Sequence, residues 1–421
     1  MSDAYYTTLF IKAIQSNKLD QVKTLLQQYP AIDINVSTFE PIYGLHSNPL
    51  SRAVINNNTE MVAFLLENGA DIHWTNDREE TALTTAVIEN RLETIIQLLI
   101  DAGADINHQS LDNEGNKVSI LSNTIMYGNE AIEDLLIANG VALNRPNNQG
   151  WCPLDYAIQS WEKPTILKLI KAGANINHFV KERQYEMGSV LYEAVKREDM
   201  ELVDLLIEKG ADLDNNYAGI SNPIFIAVEN KNHEMIYKLA AAGADLEPLL
   251  FEGKTVLMAA IDKSWVAEAT ILLKVGANPN TLNDYGWSPL MLAANKGQME
   301  IVQRLLEKGA EIDYCVPKEM NGKKMFEPGT RPVNAAIMGK QWEMFQFLIK
   351  KGASINLSVI GMPFLLYTID TEKFEAAKIL IAAGADISEK TKRGETALYM
   401  TIGAIQDMHC LLYTSPSPRD S

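Results

Sequence analysis

The chain has 421 residues, of which 47% are hydrophobic and 22% charged. A single compact core rarely grows to this size, so we expect either several domains or a repeat array. Its 37 basic and 54 acidic side chains give a net charge of −17. This charge disfavours binding to nucleic acid and to anionic membranes, because both rely on Lys and Arg. It favours a protein partner with a basic face, unless the charges only solvate the outer helices.

Three features of the sequence predict a cytoplasmic protein. No apolar segment reaches the roughly 18 residues of a membrane span. The N-terminal residues lack the basic and apolar regions of a signal peptide. The three cysteines, Cys152, Cys315 and Cys410, are too sparse for a disulfide framework, which fits a reducing compartment.

A Gly-Ala-polar signature recurs along the chain, each time after a short apolar run. A degenerate copy is Gly140-Val141-Ala142, and successive glycines are most often 33 residues apart. From the N-terminus onward, the signature begins at Gly69, Gly103, Gly173, Gly210, Gly243, Gly276, Gly309, Gly352 and Gly384. Such a fixed period predicts a repeat architecture.

Each repeat is predicted to contain two short helices, as the unit from Ser288 to Gly309 illustrates. Ser288 is a predicted N-cap, and Pro289 suits the first helical position because its missing N–H is not needed there. Leu290, Ala293 and Ala294 give the first helix a buried face, and Ile301, Leu305 and Leu306 do so for the second. Gly297 suits the turn between the helices, and Gly309 is the expected left-handed residue after the second helix. Two such helices must stack on neighbouring repeats to bury their apolar faces.

This unit resembles an ankyrin repeat. The residues that carry the resemblance are Trp287-Ser288-Pro289-Leu290-Met291-Leu292-Ala293-Ala294 and the later Glu307-Lys308-Gly309-Ala310. The resemblance implies an all-α repeat solenoid, an ankyrin-type helix-turn-helix stack with projecting β-hairpin finger loops. Within an array spanning residues 1–409, the predicted repeats cover about residues 4–36, 46–78, 79–112, 117–147, 148–182, 187–218, 219–251, 252–283, 284–316, 330–357 and 360–390, with a partial repeat at 391–409.

The resemblance also implies where a partner would bind, namely on the concave surface formed by the finger loops and the first helices. Candidate contact residues flank the finger glycines Gly150 and Gly286 or lie in the finger after Gly69. They are Trp74, Gln149, Trp151, Tyr285 and Trp287. Exposed aromatic side chains are common interface anchors. The alternative is that each tryptophan packs on its neighbouring finger.

Four finger segments are longer than the others: residues 36–46, 108–117, 178–188 and 314–330. Long loops without regular structure are often functional or disordered. These segments add further candidate contact residues, namely Phe179, Tyr185, Met320, Met325 and Phe326. A tolerated insertion is the alternative interpretation of each segment.

The sequence predicts no catalytic, cofactor-binding or metal-binding residues. Residues 252–255 (Glu-Gly-Lys-Thr) resemble the end of a phosphate-binding loop, but Pro248 stands where that motif needs its first glycine. His108 and His178 lie two repeats apart, which predicts a separation of about 20 Å, too far to share a metal ion. No Cys and His residues have zinc-site spacing.

These patterns favour a protein–protein interaction scaffold or adaptor that is not an enzyme. A targeting region is the alternative, in which a larger enzyme carries its catalytic domain beyond the C-terminus of this chain. A structural spacer is a third hypothesis.

The segment from Cys410 to Ser421 does not continue the repeat. It resembles the translation of a transposon-type sequencing adapter, so residues 410–421 are expected to be a non-native tail. A natural Ser/Pro-rich tail is the alternative. Without a polar capping repeat, we expect an exposed apolar edge around Ile379, Leu380, Leu398 and Ile402. A natively capped chain is expected to be a monomer.

Sequencing the source locus past the codon for His409 tests the tail directly. We expect the reading frame to depart from the present sequence after His409 and to complete the twelfth repeat. A locus that encodes Cys410 to Ser421 followed by a stop codon would show that the tail is natural.

Overall fold

The computed structural model describes residues 3–40, 44–178, 188–214, 222–320, 323–324, 328–359 and 361–402. Their contacts divide the chain into two units, one of residues 1–212 and 217–220, the other of residues 213–216 and 221–421. The described residues contain 22 α-helices that form eleven pairs, a further helical segment at residues 397–402, and short antiparallel strand pairs. The predicted fold class, a helix-turn-helix repeat array with hairpin fingers, is confirmed.

The described residues of the first unit contain six helix pairs and two strand pairs. Its helices are α1 (Asp3–Gln15), α2 (Leu19–Gln28), α3 (Pro49–Ile55), α4 (Thr59–Glu67), α5 (Ala82–Ile88), α6 (Glu93–Asp101), α7 (Ile120–Tyr127), α8 (Glu130–Ala138), α9 (Pro153–Ser160), α10 (Lys163–Ala172), α11 (Val190–Lys196) and α12 (Met200–Glu208). Its strands are β1 (Thr38–Glu40), β2 (Leu45–Ser47), β3 (Gln109–Leu111) and β4 (Lys117–Ser119).

The described residues of the second unit contain five helix pairs. Its α-helices are α13 (Pro223–Glu229), α14 (His233–Ala241), α15 (Val256–Asp262), α16 (Val266–Val275), α17 (Pro289–Asn295), α18 (Met299–Glu307), α19 (Pro332–Met338), α20 (Trp342–Lys350), α21 (Phe364–Asp370) and α22 (Phe374–Ala382). A single 3₁₀ turn covers Phe251–Gly253, and the strands are β5 (Glu319–Met320), β6 (Lys323–Lys324), β7 (Ser358–Val359) and β8 (Met362–Pro363).

The helix boundaries follow from local capping. The Ser288 hydroxyl accepts the Met291 N–H at 3.3 Å, and Pro289 is the first residue of α17, as predicted. Gly309 has φ +87° just after α18, in the left-handed region that favours glycine. Each helix is only about two to four turns long, too short to be stable alone.

Packing between neighbouring repeats supplies the missing stability. Ile301 and Leu305 of α18 are fully buried, as predicted, whereas Leu306 is half-buried. Within the first unit, α5 packs against α3 and α7, and within the second, α17 packs against α15 and α19. The core therefore runs from one helix pair to the next, as in other repeat arrays.

The turns between paired helices all use a left-handed residue. Its φ lies between 51° and 69° in each of the eleven pairs, and in two of them it is glycine, at Gly128 and the predicted Gly297. Elsewhere a residue with a side chain occupies the position. These residues are Asn17, Asn57, Asn90, Trp161, Glu198, Lys231, Ser264, Lys340 and Glu372. For L-residues this conformation costs roughly 1–2 kcal/mol.

Side-chain oxygens at the finger bases connect successive repeats. Asn177 Oδ1 accepts the backbone N–H of Asp212 at 2.8 Å, and Asn280 Oδ1 accepts that of Glu311 at 2.9 Å. We call this set of bonds the finger ladder. In the first unit it also joins Asn35 to Asp71, Asn107 to Ala142 and Asn144 to Asn175. In the second unit it also joins Asp214 to Asp245, Glu247 to Asn278, Asp313 to Ser354 and Asn356 to Asp386.

One rung of the ladder is absent between described residues. The acceptor position lies four residues after each repeat glycine, and after Gly69 it is occupied by His73. The His73 side chain is exposed, and it makes no hydrogen bond to the described N–H of Asp105, where the rung is due. An imidazole does not offer the short carbonyl-type acceptor that Asn provides at this position.

We expect His73→Asn to stabilise the first unit by about 1 kcal/mol, because it adds one hydrogen bond between the second and third helix pairs. Urea unfolding followed by circular dichroism measures the change. His73→Ala, which removes the imidazole without adding an acceptor, is the control. Equal midpoints for His73→Asn and His73→Ala would show that the rung does not form or does not stabilise.

The predicted apolar edge is confirmed in part. Leu398 and Ile402 are 72% and 50% exposed, and the backbone of residues 397–402 is helical. Leu380 is fully buried, so its predicted exposure is wrong, because this residue lies on the face of α22 that packs into the core. Ile379 is half-buried. Residues 403–421, including the predicted foreign tail, lie outside the described residues.

Helix length also bears on membrane insertion. The longest helix among the described residues has 13 residues. None of the described helices combines the length and the hydropathy that crossing a membrane requires.

Candidate protein-interaction surface

Two large apolar side chains project from the finger between α14 and α15. Phe251 is 84% exposed and Leu249 is 65% exposed. Tyr285, in the next finger along the chain, is 48% exposed. We call Leu249, Phe251 and Tyr285 the finger-tip patch. Exposed aromatic residues of this kind are typical of protein interfaces, since they bury a large area with little loss of side-chain entropy.

Hydrogen bonds fix the two finger tips side by side. The Asp284 N–H donates to the Glu252 carbonyl at 3.0 Å, and the Tyr285 hydroxyl donates to Glu252 Oε1 at 3.1 Å. Lys254 Nζ lies 2.9 Å from Glu252 Oε2. Lys254 first, and then Tyr285, lower the pKa of the half-buried Glu252 carboxyl. These contacts hold the patch in a defined shape before any partner arrives.

Gly253 allows this close approach. A Cβ at Gly253 would lie 2.5 Å from Asp284 Oδ1 and 2.9 Å from the Asp284 backbone nitrogen. Glycine is therefore required here by contact as well as by its φ of +66°. Lys254 is committed to carboxylates, since its Nζ also lies 2.9 Å from Asp262 Oδ2. The segment that resembles a phosphate-binding loop is thus a finger turn.

A second surface feature of the same unit is a cleft bounded by the long segment 314–330. Its volume is about 870 Å³, and its lining includes Val316, Lys318, Ile337, Val359, Lys373 and Lys392. None of its three lysines forms an ion pair with a described acidic residue. The lining therefore combines apolar side chains with three positively charged ones, although the chain as a whole carries a net charge of −17.

Comparison with known sequences agrees with this architecture. The family profile described as "Ankyrin repeats (3 copies)" matches residues 9–110, 95–180, 224–314 and 267–359. The matched residues make up more than half of the chain. The chain belongs to the ankyrin-repeat family.

Several curated ankyrin-repeat relatives are similar to it. The nuclear factor NF-kappa-B p105 subunit of Gallus gallus is 28% identical over 262 residues, 59% of this chain and 26% of that protein. The ankyrin repeat and KH domain-containing protein mask-1 of Caenorhabditis elegans is 26% identical over 405 residues, 83% of this chain and 15% of that protein. The putative palmitoyltransferase ZDHHC13 of Danio rerio is 30% identical over 207 residues, 48% of this chain and 30% of that protein. The chain therefore spans less than a third of each of these relatives.

The two equivalent tryptophans of the ankyrin fingers are both used in packing. Trp151 is only 4% exposed and its ring lies 5.3 Å from that of Tyr156, so the predicted exposure of Trp151 is wrong. Trp287 is half-buried and packs on a core cluster of Met291, Val316 and Ala335. Both side chains therefore pack against neighbouring residues and do not project freely into solvent. Packing is the alternative that the sequence left open for these tryptophans.

The other predicted contact residues vary in accessibility. Trp74 and Gln149 are half-buried, and Met320 is half-buried against the same cluster as Trp287. Four candidates, Phe179, Tyr185, Met325 and Phe326, lie outside the described residues. Of the predicted set, Tyr285 is thus the described residue with the most accessible side chain.

The fifth ankyrin repeat contains a buried polar cluster that the sequence analysis missed. Cys152, Asp155 and His178 place one metal-ligating atom each within 4.8 Å of the other two. Asp155 Oδ2 lies 2.9 Å from His178 Nδ1. Asp155 first, and then Cys152, raise the pKa of His178 to about 10. In the cluster as described, a positive imidazolium therefore faces the buried carboxylate at neutral pH.

We expect Gly253→Ala to destabilise the second unit by more than Gly128→Ala destabilises the first. Both glycines have similar φ values, +66° and +68°, but a Cβ at Gly128 would meet no atom within 4 Å. Gly128→Ala should therefore cost only the backbone term of about 1 kcal/mol. Gly253→Ala adds the collision with Asp284. Urea unfolding gives the two losses, and equal losses would contradict the close approach.

Proposed function

We propose that this chain is an ankyrin-repeat scaffold or adaptor that binds another protein through the finger-tip patch. The observation that carries the proposal is the 84% exposure of Phe251 at the tip of a finger. Ankyrin repeats are generally protein–protein interaction modules, which supports this assignment. The hydrogen bond from Tyr285 to Glu252 also supports the proposal, because a patch that is already fixed in shape loses little conformational entropy on binding.

The energetics of the patch suit an interface hot spot. Burying an aromatic side chain removes about 150–250 Å² from water. At roughly 25 cal/mol per Å², each of Phe251 and Tyr285 would contribute a few kcal/mol when covered by a partner. An exposed apolar patch is tolerated on a protein surface as long as it stays small. To bind it, the partner needs a complementary apolar pocket.

Charge around the patch favours a partner with a basic face. The exposed carboxylates of Asp245 and Asp284 lie in the same two fingers as Phe251 and Tyr285. Neither forms an ion pair with a described basic residue. Long-range attraction between acidic fingers and a basic partner would speed association and would weaken as salt is added.

The cleft beside residues 314–330 offers the same partner a second contact of opposite charge. Lys318, Lys373 and Lys392 at its lining would pair with a carboxylate, while Val316 and Ile337 would cover apolar groups. Met320 belongs to the same long segment and keeps its role as a candidate contact residue. The patch and the cleft together would distinguish a partner with mixed charge from a purely basic one.

We further propose that the array itself is not an enzyme and that it acts in the cytoplasm. The ankyrin family is generally non-catalytic, which supports the first point. The alternative, a targeting region of a larger enzyme, is favoured by one comparison: a protein named as a putative palmitoyltransferase shares 30% identity over 207 residues. Extension of the reading frame beyond His409 into a further domain would support that alternative.

We expect the double variant Phe251→Ala/Tyr285→Ala to lose a partner that the unaltered chain retains. Affinity capture from a cell lysate, with quantitative mass spectrometry, identifies proteins retained by the full chain. Loss of two hot-spot aromatics should weaken the relevant complex at least about tenfold. The purified partner is then titrated against both chains, at low and at high salt.

Tyr5→Ala is the matched control, because Tyr5 is also 48% exposed but lies on α1. It should bind the partner as the unaltered chain does. Equal retention by the double variant would refute the finger-tip patch. If broad capture finds no partner that survives purification and titration, the scaffold function itself is refuted.

A further inference from the structure

Three side chains with metal-ligating atoms meet inside the fifth repeat. Cys152 is the N-cap residue of α9, Asp155 lies in the first turn of that helix, and His178 follows α10. Cys152 and Asp155 are only 3% and 2% exposed. The thiol sulfur, a carboxylate oxygen and an imidazole nitrogen all lie within 4.8 Å of one another. Such spacing is compatible with a single ion bound between them.

The imidazole nitrogen of this cluster lies directly against the Asp155 carboxylate. His178 Nδ1 is buried and lies 2.9 Å from Asp155 Oδ2, but no hydrogen bond of acceptable angle joins the two. By contrast, His46 Nδ1 forms a well-directed hydrogen bond to Asp77 Oδ2 at the same 2.9 Å on the surface. Buried polar atoms in native proteins almost always have a partner. Here that partner is the Asp155 carboxylate, and the Cys152 sulfur lies within 4.8 Å of both groups.

The fold holds two of the three ligand atoms in place. The Asp155 carboxylate accepts the Cys152 N–H at 2.7 Å, which fixes the carboxylate on the first turn of α9. The Cys152 sulfur lies 3.3 Å from the Asn144 carbonyl oxygen. The backbone hydrogen bond to Asp155 orients that ligand and limits its reorganisation when the ion binds. The Cys152 thiol gives up its bond to Asn144 when its proton leaves.

We propose that Cys152, Asp155 and His178 form a Zn²⁺ site, with Cys152 Sγ, a carboxylate oxygen of Asp155 and His178 Nδ1 as ligands. Thiolate and imidazole favour zinc over magnesium and calcium, which prefer oxygen ligands. Zinc is usually tetrahedral, so one position is left for solvent. The side chain of His178 is 24% exposed, which provides the route from solvent.

Binding replaces protons by the ion. The thiol proton and the imidazole proton pass to solvent as the Sγ–Zn and Nδ1–Zn bonds form, and no oxidation or reduction occurs. The ion then supplies the positive charge that faces the buried Asp155 carboxylate. Because His178 lies in the finger and the other two ligands lie at the N-terminal end of α9, the ion would tie that finger to the first helix of its own repeat.

Cobalt titration of the full chain, reduced and freed of metal by a chelator, tests the site. Co²⁺ should produce a thiolate-to-cobalt absorption band that saturates at one equivalent and disappears when Zn²⁺ is added. Cys152→Ser should abolish the band. His178→Gln should weaken Zn²⁺ binding, measured by competition with a chromophoric chelator, at least about tenfold.

Two matched controls separate this site from incidental ligands. Cys315→Ser removes the other described free cysteine, and His46→Gln removes a histidine with the same distance to its carboxylate. Both variants should bind Co²⁺ and Zn²⁺ as the unaltered chain does. The proposal is overturned by a chain that shows no saturable band, by a band that survives Cys152→Ser, or by one that Cys315→Ser abolishes.

A measurement on the unaltered chain covers the case in which Cys152→Ser does not fold. Zn²⁺ should protect Cys152, but not Cys315, from alkylation by iodoacetamide, as mapped by peptide mass spectrometry. Equal protection of both residues, or of neither, contradicts the site. The result does not depend on the finger-tip patch, so either proposal can fail alone.

Discussion

Hydrogen bonds from the backbone of one repeat to a side-chain oxygen of the preceding repeat, absent among the described residues only at His73, fix the spacing of the fingers. The N–H involved follows the Gly-Ala pair and would otherwise lack a partner at the edge of the stack. In the pair Asn177 and Asp212 the acceptor is an amide, and in the pair Asp214 and Asp245 it is a carboxylate. The recurring polar residue four positions after each glycine is therefore an inter-repeat connector. Finger tips such as that of Phe251 depend on it for their position.

The repeat could be predicted from the sequence because local signals agree with the global fold. Ser288 caps a helix, as its residue type predicts. Ile301 and Leu305 are buried because the helical periodicity of the apolar residues decides which face packs inward. The exposure of a finger side chain depends instead on which individual side chains it contacts in the folded chain. Trp151 is covered by the neighbouring Tyr156, a contact that no periodic pattern encodes.

The candidate sites were predicted less well than the fold. Tyr285 was found because it flanks a finger glycine, whereas Phe251 was missed although it lies two residues before Gly253 in a finger turn. That proximity to a finger glycine was the available signal. Cys152 and His178 are 26 residues apart in sequence and match no metal-binding spacing, so only the folded repeat brings them together.

The left-handed turns between paired helices leave this array below the stability that its architecture permits. Nine of the eleven turns use a residue with a side chain, such as Trp161 or Lys340, where glycine would relieve backbone strain. Part of each gain would be offset by the greater freedom of glycine in the unfolded chain. These turns are separate from the finger tips of Phe251 and Tyr285. Glycine at these turns should therefore raise the melting temperature of the array while leaving the finger-tip patch unchanged.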